Sequence, residues 1–67
     1  MMYLSKGIMV KGTTDNEEWV SLHGKMFALG PRLTALWSYA ERKPREVRPE
    51  AENAILRMEQ AGLVVTT

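Results

Sequence analysis

Apolar and polar positions follow a period of two through the first thirty residues and shift to a helical period after Gly30-Pro31. Alternation puts every second side chain on one face of a strand, whereas spacings of three and four gather them on one side of a helix. In residues 3–11, Leu4, Ile8 and Val10 share one parity and Ser5 and Met9 the other. Lys6 interrupts the apolar set, and Gly7 weakens its middle and marks a bulge. Residues 12–16, Gly-Thr-Thr-Asp-Asn, have the composition of a loop. Trp19-Val20-Ser21-Leu22 suits a pleated surface, His23-Gly24 a tight turn, and Lys25-Met26-Phe27-Ala28-Leu29 a returning strand. These runs predict a three-stranded antiparallel meander over residues 3–29.

The remainder reads as helix. Pro31 suits a first helical position, where its missing N–H is no loss. Leu33, Leu36, Trp37 and Ala40 make an apolar stripe. Glu41, Arg42 and Lys43 close this helix, and Pro44 prevents its continuation, giving residues 31–43. Pro49 opens a second helix over residues 49–61, with Glu50 and Glu52 in its first turn and Ala51, Ala54, Ile55, Met58 and Ala61 facing inward. Gly62 is the stop signal, and Leu63-Val64-Val65 forms a short strand over 63–65. The expected order is β-β-β-α-α-β, an α+β fold in a single domain spanning residues 1–67.

Composition narrows the function. With 67 residues the chain builds one thin core, and without cysteine it has neither disulfides nor a thiolate zinc site. One His (His23), one Asp (Asp15) and no thiol supply no nucleophile–base pair, so no catalytic residue, no metal site and no cofactor is expected. The five glycines are scattered rather than gathered in a phosphate-binding loop. No apolar run reaches the length of a membrane span, no signal peptide is visible, and Met1-Met2 reads as a native start. The expectation is a cytoplasmic protein that binds a partner and is not an enzyme.

Residues 54–65, Ala-Ile-Leu-Arg-Met-Glu-Gln-Ala-Gly-Leu-Val-Val, resemble the end of a winged-helix domain, in which an amphipathic helix finishes in Gly-Leu-Val and enters a strand. The whole layout is similar to the RiPP recognition elements, peptide-binding winged-helix domains that include the peptide chaperone of pyrroloquinoline quinone synthesis. The features carrying this likeness are the sheet ending in 25–29, then Gly-Pro, a helix with Leu-Trp, and a helix ending in Gly-Leu-Val. The resemblance implies a small winged-helix-like domain that captures the leader segment of a precursor peptide by edge-strand addition and presents it to a modifying enzyme. The interval 41–52, interrupted by Pro44 and Pro49, is too short for the further helix such domains carry.

Edge-strand capture also has a physical basis of its own. The outer strand of an antiparallel sheet offers unpaired N–H and C=O groups that an extended peptide can satisfy. If residues 25–29 form that edge, the peptide site comprises Lys25, Met26, Phe27, Ala28 and Leu29, with Ile55, Arg57 and Met58 of the last helix lining a groove beside it. The same apolar residues equally suit the core.

Two alternatives stand beside this reading. Arg42, Lys43, Arg45 and Arg48 concentrate four of the nine cations in seven residues. With Asn53 and Arg57 on the last helix, they are the candidate nucleic-acid contacts of a small DNA-binding regulator. The third reading is a dimerising interaction subunit, marked by whichever of Trp19, Trp37 and Tyr39 lies exposed.

Overall fold

The structure is a computed structural model, and it describes residues 1–11 and 18–67. The loop expected over 12–16 lies outside the described residues. The chain is a small α+β protein with strands β1 (Met2–Ser5), β2 (Ile8–Lys11), β3 (Glu18–Leu22) and β4 (Lys25–Leu29), then helix α1 (Pro31–Tyr39). Strand β5 (Arg45–Glu46), a single 3-10 turn over Pro49–Ala51, helix α2 (Glu52–Gln60) and strand β6 (Val64–Thr66) complete it.

The strands form two antiparallel three-stranded sheets, ordered β5-β1-β6 and β2-β3-β4. This corrects the expectation of a single N-terminal sheet over residues 3–29, because the run 3–11 is two strands in different sheets. The break falls at Gly7, whose φ of 96° is open to few residues other than glycine. A Cβ there would lie 2.7 Å from Val20 Cγ1 and 2.8 Å from the Ser21 carbonyl oxygen, so the backbone turns where a side chain has no room.

The meander β2-β3-β4 does form. Its second turn holds His23 at φ 51° and Gly24 at φ 80°, the type I′ geometry that matches the twist of a two-residue hairpin. Register pairs Leu22 with Lys25, Val20 with Phe27 and Glu18 with Leu29. Met9, Val20, Leu22, Phe27 and Leu29 face or flank the core. Ile8, Val10, Trp19, Ser21, Met26 and Ala28 share the outer face, and Ile8 is 71% exposed. The parity of Ile8 and Val10, which looks apolar in sequence, is therefore the outward one of this sheet.

The core gathers Tyr3, Val20, Leu29, Trp37, Ala40, Ala51, Ile55, Met58, Leu63 and Val64. Trp37 is its pin. Its indole N–H is shared between the Lys6 carbonyl at 3.0 Å and the Leu63 carbonyl at 3.2 Å, while the Lys6 N–H donates to Leu63 at 2.8 Å. Carbonyls in the last turn of a helix have no partner within it. Here β1 supplies them: Tyr3 Oη donates to Leu36, Ser5 Oγ to Trp37 and the Ser5 N–H to Ala40.

This capping corrects the expected helix over 31–43. The helix ends at Tyr39, and Glu41, Arg42 and Lys43 lie beyond it, because β1 takes the carbonyls and Pro44 disfavours helical backbone before it. The helix expected over 49–61 begins instead as the 3-10 turn and ends at Gln60. Its exit is a Schellman motif, with Gly62 N–H bonding Glu59 at 2.9 Å and Leu63 N–H bonding Met58 at 2.8 Å. Leu63 and Met58 are both buried, which supplies the apolar contact typical of this motif. The strand expected over 63–65 is observed one residue later, as β6, paired with β1.

Trp37→Phe removes both the shared N–H and part of a fully buried ring, and is expected to destabilise the fold by about 2–4 kcal/mol in urea unfolding. A loss below about 0.5 kcal/mol would show that the two carbonyls do not depend on the indole.

Candidate functional site

Among the described residues, strand β4 lies at one edge of its sheet, paired only with β3. In a two-residue hairpin the flanking residues exchange hydrogen bonds, and bonding then alternates along the strand. Lys25, Phe27 and Leu29 thus direct their backbone groups to β3. The N–H and C=O of Met26 and Ala28 point outward from the sheet, with no partner among the described residues.

Beside this edge runs a groove of about 190 Å³, lined by Phe27, Ala28 and Leu29 of β4, Leu33 of α1, Arg57, Met58 and Ala61 of α2, and Leu63. Leu33 comes from α1 because Gly30, extended at ψ 169°, and Pro31 turn the chain directly from β4 into the helix. On α2, Met58 reaches the groove from the core side and Arg57 stands exposed at its rim.

Of the residues expected from sequence, five therefore meet here: Phe27, Ala28, Leu29, Arg57 and Met58. Lys25 and Met26 lie on the same strand toward the hairpin and are exposed. Ile55 does not line the groove. It is fully buried in the core, since the helical spacing that aligns it with Met58 also turns it inward. Leu33, Ala61 and Leu63 were not singled out as site residues; Leu33 belongs to the apolar stripe of its helix, which gave its spacing but not its neighbour.

Two further depressions open along α1, the first against α2 and the second against residues 48–51. One, of about 370 Å³, is lined by Arg32, Leu33, Glu50, Asn53, Ala54 and Arg57. The other, of about 490 Å³, is bounded by Arg32, Ala35, Leu36 and Tyr39 of α1, Arg48, Glu50 and Ala51, with Tyr3 and Glu46 from the β1-β5 side. Arg32 Nη2 donates to the Glu50 carbonyl at 2.8 Å and spans the boundary between them.

The candidate nucleic-acid contacts are dispersed. Arg45 is held in the fold, its Nε donating to the Tyr39 carbonyl at 2.9 Å and its guanidinium 4.2 Å from the Tyr39 ring centroid. Arg48 borders the larger depression, Asn53 and Arg57 border the middle one, and Arg42 and Lys43 are exposed on the turn after α1. Of the three large aromatics considered as partner markers, Trp37 is buried, Trp19 is half-buried and Tyr39 is 53% exposed beneath Arg45.

Compared with protein-family models, with curated proteins and with solved structures, the chain matches none. Among the described residues no helix is long and apolar enough to cross a membrane, and no cluster of three His, Cys, Asp or Glu side chains is present.

Burial raises the Tyr3 phenol above its ordinary value of 10.0; the nearby Tyr39 adds to this and Arg45 opposes it. In the unfolded chain the phenol ionises first, so above pH 10.0 the unfolded state binds fewer protons and stability falls until the folded phenol also titrates. Tyr3→Phe is expected to cost about 1–2 kcal/mol at neutral pH, through the lost bond to Leu36. The mutant should also lose less stability than the wild type on alkaline titration. Parallel alkaline slopes in denaturant unfolding would contradict this assignment.

Proposed function

We propose that the protein is a non-catalytic adaptor that captures an extended peptide along β4. The observation that carries this reading is the coincidence of two features on one strand. Met26 and Ala28 present backbone groups that have no partner among the described residues, and a groove with apolar walls runs beside them toward α2. Main-chain hydrogen bonds then supply general affinity and the groove supplies side-chain selectivity.

The similarity of the sequence layout to RiPP recognition elements supports the same use, and with it a leader segment as the peptide, a winged-helix-like arrangement of the helices and delivery to a modifying enzyme. The peptide reading is favoured over nucleic acid because Arg45 is committed to Tyr39 and the remaining basic residues are spread over separate depressions.

Register determines the phase of capture. In antiparallel addition, residues directly opposite one another share a face of the sheet. Peptide residues that bond Met26 and Ala28 therefore place their side chains on the outer face, beside those residues. The alternate peptide residues, whose own amides point away from β4, send their side chains into the groove.

A capped peptide of alternating Val and Thr tests this by NMR titration of the isotope-labelled protein. It should shift the amides of residues 25–29 together with Arg57 and Met58, with Val in the groove. N-methylation of the Thr amides should weaken binding by about tenfold or more, and N-methylation of the Val amides by less than about twofold. Equal effects of the two methylation phases would overturn edge capture. So would a response confined to residues 42–48 on adding duplex DNA.

A further inference from the structure

The groove beside β4 does not end at Leu29. Leu33 and Arg57 line both it and the middle depression, and Arg32 and Glu50 line both the middle depression and the larger one. Sharing these walls, the three adjoin in a trough that leaves the Leu29 end of β4, passes between α1 and α2, and continues between α1 and residues 48–51 to Tyr39.

Its character changes along the way. The first stretch is walled by Phe27, Leu29, Leu33, Met58 and Leu63. The middle stretch is polar, with Arg32, Arg57 and Asn53 in its walls beside one acidic residue, Glu50. The last stretch is again largely apolar, with Tyr3, Ala35, Leu36, Tyr39 and Ala51 in its walls.

No carboxylate among the described residues forms an ion pair with Arg32 or Arg57. Arg32 is nevertheless held in place by the bond from its Nη2 to the Glu50 carbonyl, which leaves its other nitrogens available to a ligand. Two guanidiniums without a carboxylate partner among the described residues, in a polar stretch between two apolar ones, are matched by a negative charge flanked by apolar side chains.

We infer that the trough selects the peptide's sequence pattern: an extended apolar stretch on β4, then an acidic residue at the Arg32–Arg57 pair, then a bulky apolar side chain in the depression beside Tyr39. This rests on the edge-capture reading and adds to it the chemistry of the preferred ligand. The strand supplies affinity for any extended chain, and the arginine pair separates acidic from basic sequences, because a lysine there would meet two like charges.

The experiment compares four capped synthetic peptides by NMR titration of the intact chain. The first is the alternating Val-Thr strand alone. The second and third carry an Asp-Asp-Phe extension at the N-terminal or the C-terminal end, and the fourth carries Lys-Lys-Phe at whichever end proves productive. One acidic extension should tighten binding about tenfold over the bare strand, and the gain should shrink in high salt. It should also add shifts at Arg32, Asn53, Ala54 and Tyr39, whereas the lysine version should show no gain. Arg32→Glu, outside the groove beside β4, should abolish the acidic gain while leaving affinity for the bare strand within about twofold.

Equal affinity of bare, acidic and basic peptides, with shifts confined to β4 and its groove, would overturn the trough and leave edge capture standing. Absence of β4 shifts with every peptide would overturn both.

Discussion

One indole N–H holds the two ends of this chain in place. Trp37 donates to Lys6 and to Leu63, and the Lys6 N–H returns to Leu63, so three segments distant in sequence meet at one buried point. Buried carbonyls left without a donor are costly, and the arrangement leaves few alternative positions for any of the three. The β1-to-β2 turn is fixed on one side, the entry to β6 on the other, and α1 lies between them with its last carbonyls bound by Tyr3 and Ser5.

The open edge follows from that constraint. With Leu63 held against Lys6, β6 runs antiparallel to β1 and fills the flank opposite β5. It therefore does not reach β4. The Gly7 kink separates the two sheets, so that the meander keeps its own edges and α2 stands beside one of them. Unpaired strand edges invite association with other chains. Here one carries a groove of defined lining, with the exposed Lys25 at the hairpin end.

Much of this was legible wherever the signal was local. Gly30-Pro31 and Gly62 gave the start of α1 and the end of α2, and His23-Gly24 gave the hairpin that fixes the phase of β4. Features set by tertiary contact were not. Gly7 reads as a weak spot in one strand, and its necessity comes from Val20 and Ser21 across the sheet. The parity of Ile8 and Val10 identified a face but not which side of it was buried. Strand β5 is two residues paired to β1, with no pattern of its own. Of the proposed site residues, Phe27, Ala28, Leu29, Arg57 and Met58 border the groove, whereas Ile55 lies in the core, because helical spacing alone does not distinguish core from groove wall.

The central claim is that β4 has one side bonded and one side free. Residue-resolved amide hydrogen exchange of the unliganded protein measures this directly. Slow exchange at Lys25, Phe27 and Leu29, alternating with fast exchange at Met26 and Ala28, is the expected result. Uniform protection along all five residues, whether from a second copy of the chain or from another segment of it, would contradict the account.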